Sequence, residues 1–335
     1  MKLKELLIKL ADADGVSGLD GALDVAEKEL SPLGKVSRDN MGGIAAEIKG
    51  IKDYTILFDA HIDEIGMMVT AIDDGFVRVA KCGGVDVRTL ISQEVIIHGK
   101  ENVFAVFCSI PPHLKKDSNE IPDIDEMAID TGLSKDEAEK IISIGDRISF
   151  RQKAVSLIDD RVTGKSLDNR AGCAAVIEAA KLLCADGEAP CNIIVSLSAQ
   201  EELGLRGART ATYNYFPNQA IVVDVSFGAF QGIPSQKTGK LTKGPMICIS
   251  PITDRFMTNS LIDICEEENM PYQREVCGSS TGTNADVISV TKSGVRTALI
   301  SIPLLNMHTA AETISMLDVE NTAKLIADYV RKAVK

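Results

Sequence analysis

The chain has 335 residues, of which 45% are hydrophobic and 25% charged, a composition that excludes a disordered, collagen-like or low-complexity chain. That length exceeds what one hydrophobic core usually serves, so two domains are expected, or one large domain carrying an insertion. The net charge of −12 is opposite in sign to what phosphate neutralisation needs, which excludes duplex nucleic acid and anionic membrane surfaces as expected partners.

The opening stretch MKLKELLIKLADADG breaks its apolar residues with Lys4, Glu5 and Lys9, and reads as an amphipathic helix, not a signal peptide. No run approaches the roughly 18 apolar residues of a membrane span. TILFDAH comes next, the first of four apolar runs of strand length that each end in a polar residue able to bind a metal. The others are NIIVSLSAQEE, AIVVDVS and TALISIPLLNMH. Runs that are apolar throughout belong to strands covered on both faces, as in a mostly parallel sheet flanked by helices.

After the first run, Met67 to Asp160 changes texture to short β-rich pieces with frequent turn residues: MMVTAI, GFVRVAK, QEVIIHGK and NVFAVFCSI. A surface loop is expected around Pro111, Pro112 and Pro122, then a short helix from Ser134 to Ile144, where Ser134 and Glu137 have capping-box spacing. Helices are also predicted over Arg170 to Leu183, where apolar residues cover most of the surface, and over Val319 to Val334 with Asp318 as N-cap. The organisation expected is an α/β body, residues 1–66 and 160–335, with residues 67–159 inserted as a small β-rich domain. The eight cysteines are never closer than seven positions apart and form no CxxC pair, which suits unpaired thiols in a reducing cytoplasm.

In an open α/β sheet, ligands bind beyond the carboxyl ends of the strands, so the polar residues ending the four runs should converge on one edge. In His61-Ile62-Asp63 the two polar side chains point to one side, so His61 can offer one ring nitrogen to a metal while Asp63 accepts from the other. Taken alone, the pair also fits a loop histidine beside a surface aspartate. Asp168 lies just ahead of a helix, where an aspartate taken alone reads first as an N-cap. Its two oxygens can also bridge two metal ions, leaving Asn169 to carry part of the capping. Glu201 and Glu202 repel each other unless something positive lies beside them; one can ligate a metal while the other takes a proton from water. A solvated acidic loop is the alternative. Asp224 and His308 complete a set of two histidines and three acids suited to a pair of Zn²⁺, Co²⁺ or Mn²⁺ ions. His98 and His113 lie in the β-rich insert, lack such neighbours, and are left out of the set.

The segments DAHIDEIG, SIPPHL, GLSKDEAEKI, GKSLDNRAGCA, SAQEELGLRGA, VVDVS and IPLLNMHTAAE, spread over essentially the whole chain, resemble the M42 family of aminopeptidases, relatives of the tetrahedral TET peptidases. The resemblance implies a zinc-peptidase-like α/β fold with an inserted small β-barrel that mediates subunit contacts, in a homo-oligomer built from dimers into a dodecamer. It implies two divalent ions per subunit, Zn or Co with Mn as an alternative. One is held by His61, Asp168 and Asp224, the other by Asp168, Glu202 and His308, with Glu201 as general base and Asp63 as the partner of His61. Peptides are then the substrates, hydrolysed at the amino-terminal bond. Asn169 and Asn284 stand where the family often has aspartate, which bears on selectivity because Gly278 to Asp286 is expected beside the substrate. Some relatives carry endoglucanase labels, so a glycosidase pair drawn from Glu201 or Glu202 is an alternative. The histidines have no role in it, and a chain without Trp and with 4% aromatic residues lacks the faces a polysaccharide groove uses. A non-catalytic, metal-stabilised scaffold is a third reading, which the presence of every ligand and the base argues against.

Overall fold

The computed structural model describes residues 1–114, 122–235 and 238–334. Its strands are β1 (Lys35–Arg38), β2 (Ile44–Ile48), β3 (Gly50–His61), β4 (Gly66–Asp73), β5 (Phe76–Cys82), β6 (Glu94–His98), β7 (Asn102–Phe107), β8 (Ile129–Asp130), β9 (Arg147–Phe150), β10 (Val155–Leu157), β11 (Arg161–Gly164), β12 (Ala189–Ser198), β13 (Gln219–Phe227), β14 (Met246–Ile249), β15 (Gln273–Val276), β16 (Arg296–Leu304) and β17 (Glu312–Ser315). The helices are α1 (Leu3–Asp12), α2 (Gly21–Leu30), α3 (Lys135–Ile141), α4 (Leu167–Cys184), α5 (Arg206–Tyr215), α6 (Arg255–Glu267), α7 (Ala285–Ile288) and α8 (Met316–Ala333).

The four apolar runs become the centre of an eight-stranded sheet ordered β1-β2-β12-β3-β13-β16-β14-β15. Strands β12, β3, β13 and β16 run parallel, so their carboxyl ends lie along one edge. Their lack of alternation has the expected cause, since successive residues enter different cores. Ile56, Phe58 and Ala60 pack with Leu6, Leu10, Ala174 and Val330 of α1, α4 and α8, whereas Leu57, Ala220 and Val222 pack with Ala208 of α5 and Ile288 of α7. Each such fully buried Leu, Ile or Phe contributes about 1.5–3 kcal/mol. The amphipathic start is α1, which buries Leu6, Leu7, Leu10 and Ala11. Among the described residues no helix is long and apolar enough to cross a membrane, and the eight cysteines are free thiols.

The β-rich stretch closes into an antiparallel barrel, β4-β5-β8-β7-β6-β9, filled by Met67, Val69, Val79, Val95, Ile97 and Ile148. Ile65, just after His61, and Ala310, just after His308, join this second core. Helix α3 opens with the expected reciprocal contact, the Ser134 amide donating to Glu137 at 3.0 Å, and ends three residues earlier than predicted. The predicted loop around Pro111, Pro112 and Pro122 falls partly on residues 115–121, outside the described residues.

One expected cap is corrected. Helix α8 begins at Met316, so Asp318 lies within its first turn, and its carboxylate accepts from the amides of Thr242 at 2.7 Å and Gly244 at 2.8 Å. It caps a distant loop instead of its own helix. Asp318→Ala should therefore strand two amides and lower the unfolding free energy by about 2 kcal/mol, read from a urea titration. An unchanged midpoint would refute this account.

Candidate metal centre

Parallel register sets the positions. His61 is the last residue of β3 and pairs with Ser198, the last of β12; Glu201 and Glu202 follow three and four residues later. On β13, Asp224 pairs with Ser301 of β16, and His308 lies four residues beyond the end of β16. Asp168 stands at the entrance to α4 in a non-helical conformation, with φ −79° and ψ 106°.

These side chains meet. Asp168 turns one oxygen to each histidine: Oδ1 is 3.0 Å from His61 Nε2, and Oδ2 is 3.4 Å from His308 Nε2. Asp224 Oδ1 lies 3.7 Å from His61 Nε2, and Glu202 Oε1 lies 3.5 Å from His308 Nε2. Donor atoms of His61, Asp168 and Glu202 all fall within 4.8 Å of one another. Glu201 Oε2 is 4.0 Å from His61 Nε2. On the far side of that ring, Nδ1 is 3.1 Å from the Asp63 main-chain carbonyl and 3.7 Å from its carboxylate. The Asp63 carboxylate also accepts from the Glu201 amide and the Ser17 hydroxyl, both at 3.1 Å, so one residue ties the His61 and Glu201 loops together.

Supporting groups that sequence reasoning passed over surround this cluster. Glu312, buried in β17, accepts from the Asp168 amide at 2.9 Å and the His308 amide at 2.8 Å, fixing the two loops relative to each other. It ends the segment IPLLNMHTAAE, four residues after His308, and that proximity was its only signal. Gly84 gives its carbonyl to His308 Nδ1 at 3.0 Å, and a Cβ there would come within 2.5 Å of the same nitrogen. Gly83, at φ +84°, would likewise press a Cβ to 2.9 Å from Glu202. Thus a glycine pair just past β5 of the barrel makes room for two residues of the cluster. The capping expected of Asn169 is present, its Oδ1 accepting from Gly172 at 3.0 Å, which leaves the Asp168 carboxylate free for the cluster.

The electrostatics match a site built for cations. Burial, reinforced by the charge of Asp168, raises Glu202 to about 7 and pushes Asp224 well above the carboxylate range. Burial likewise raises Glu201. Burial alone would lower His61, but the surrounding carboxylates, Glu201 foremost, hold it well above its ordinary value. The bond to Asp168 carries His308 to about 9 despite its burial. Glu201, Glu202, Asp224 and both imidazoles are shifted toward holding protons, whereas Asp168, though buried, is held well below the carboxylate range by its bonds to His308 and His61; the raised acids are the response of a cluster short of positive charge. Two imidazoles and four carboxylates with donor atoms 3–4 Å apart fit divalent zinc, cobalt or manganese.

The cluster opens into a cavity of about 820 Å³, whose wall includes Ser280, Thr281, Gly282, Thr283 and Asp286, within the stretch expected beside a substrate.

Comparison with known proteins agrees with this geometry. The family described as M42 glutamyl aminopeptidase matches residues 42–325. The lysyl aminopeptidase of Pyrococcus furiosus is 34% identical over 331 residues, spanning 96% of this chain and 94% of that protein. An aminopeptidase of the archaeon Desulfurococcus kamchatkensis superposes with a TM-score of 0.92 at 30% identity, covering 98% of this chain and 94% of that one. The TET1 peptidase of Pyrococcus horikoshii, described as assembling into a tetrahedron or a large octahedral shell, gives 0.85 at 30% identity and covers 97% and 98%. A chain matched by the family over most of its length, and by an aminopeptidase over nearly all of it, belongs to the M42 aminopeptidases.

Proposed function

We propose that the protein removes amino-terminal residues from peptides with a co-catalytic pair of divalent ions, Zn or Co, with Mn as an alternative. His61, Asp168 and Asp224 would hold one ion, and Asp168, Glu202 and His308 the other. The observation that carries this reading is Asp168, whose two oxygens face two histidines, one ending β3 and one in the loop after β16. When bound, the ions supply the positive charge that polarises a scissile carbonyl and makes water acidic enough to attack it. The chain's own residues do the rest. Glu201 takes the proton of the attacking water and returns it to the leaving amine. Asp63 positions both partners, receiving the Glu201 amide and fixing the orientation of His61.

The barrel, within residues 67–159, is proposed as the subunit contact of a homo-oligomer, a dodecamer built from dimers, in a cytoplasmic setting. Its exposed Phe104 and Ile110 and the assembly described for the TET1 peptidase support this.

The test is a peptide ladder. Incubated with Zn²⁺, Co²⁺ or Mn²⁺, the protein should shorten unblocked peptides one residue at a time from the amino terminus and spare amino-acetylated copies, as read by mass spectrometry. Internal cuts, or equal cleavage of acetylated peptides, would refute aminopeptidase action.

A further inference from the structure

Beyond the proposed ligands, the cavity continues along the sheet face that carries Asp224. Strand alternation puts Asp224 and Ser226 on one face of β13, and Ser301 of β16 lies directly beside Asp224 in register. Both serines serve a single acceptor. Ser226 Oγ donates to Glu275 Oε1 at 2.5 Å, and Ser301 Oγ donates to Oε2 at 2.7 Å. Glu275, on β15, is half-buried and lines the cavity.

Among the described residues no cationic side chain is ion-paired with Glu275. Arg274, also at the wall, is exposed and turns toward Tyr272, its Nη2 3.4 Å from the phenol oxygen. Asp286, a wall carboxylate outside the cluster, is taken up by its own loop, accepting from Thr281 and Gly282 amides and from the Ser280 and Thr281 hydroxyls. Glu275 thus presents an anion to the substrate space with two neutral donors and no counter-charge. Such a group is costly to desolvate unless the ligand brings the positive charge.

We propose that Glu275 is the specificity-determining residue, accepting the ammonium or guanidinium of an amino-terminal lysine or arginine; this rests on the aminopeptidase reading above. Distance suits the assignment. Ser226 lies two residues past Asp224, about 6.6 Å along the strand, and the four-carbon stem of lysine spans a comparable length. The two hydroxyls hold the carboxylate in place before substrate arrives, so little order is lost on binding. Leu299 and Cys277 offer the stem an apolar wall.

The experiment compares kcat/KM of the metal-supplied full chain on lysyl, norleucyl and glutamyl p-nitroanilides. Norleucine keeps the stem of lysine and lacks its charge. The wild type should favour lysyl over norleucyl by about tenfold to a hundredfold, the range of a charge-assisted hydrogen bond. Glu275→Gln should bring that ratio close to unity, and Glu275→Lys should turn preference toward the glutamyl substrate. A wild-type ratio near unity would overturn the proposal, as would Glu275→Gln slowing lysyl and norleucyl substrates equally, which would mark a contact to the α-ammonium. The wild-type ratio decides even if a variant misfolds. Turnover of neutral substrates without basic preference would sink this inference alone, whereas no turnover on any unblocked aminoacyl substrate would sink the peptidase reading with it.

Discussion

Glu201→Gln should lower kcat on an aminoacyl substrate by about 10²–10⁴-fold while leaving metal content and fold unchanged. Glutamine keeps the volume of the side chain. The main-chain amide that donates to Asp63 at 3.1 Å is untouched, so the loop stays where it is. What is lost is the ability to hold a proton between two steps. Glu201 is suited to that task because burial raises it above its ordinary value, the direction that favours a group which must both accept and release a proton. The neighbouring Glu202 makes the comparison informative: its Oε1 lies 3.5 Å from His308, the proposed position of a ligand, whereas Glu201 stands 4.0 Å from His61. Elemental analysis beside steady-state kinetics separates the roles. A Glu201→Gln protein with wild-type kcat would remove Glu201 as the base.

The edge where these residues meet was legible because parallel strands buried on both faces are apolar until they end. In TILFDAH the first proposed metal ligand, His61, is the last residue of β3. The same physics explains what local pattern could not carry. Asp318 before an apolar helical stretch is indistinguishable in sequence from an N-cap, since the amides it serves, those of Thr242 and Gly244, are brought to it only by the tertiary fold. Gly83 and Gly84 look like turn residues of the barrel. Their importance lies in atoms a barrel-only view omits, the Glu202 side chain and the His308 ring. Glu312 is likewise a lone acid in a short strand until Asp168 and His308 arrive at its two oxygens from segments 144 and 4 residues away. Residues that touch substrate or metal leave a chemical signature. Residues that only hold those loops do not.

Asp168→Asn should lose both metal ions together, and activity with them. A carboxylate can direct one anionic oxygen to each half of the cluster, as Asp168 does toward His61 and His308. An amide has one oxygen, and its NH₂ group, a donor, would face a position that calls for a lone pair. Because Asp168 is shared between the two proposed ion sites, the damage cannot be confined to one. The fold should persist, since Glu312 grips the main-chain amide of residue 168, not its side chain, and Asn169 still caps α4. Two readouts follow: elemental analysis should find little metal after dialysis, and added Zn²⁺ or Co²⁺ should no longer raise the melting temperature. In the wild type, ligand at about 100 times its Kd stabilises by about 2.7 kcal/mol. The outcome is opposite in kind to that of Glu201→Gln, which keeps metal and loses turnover. A fully loaded Asp168→Asn protein would contradict the shared bridge and require two independent sites.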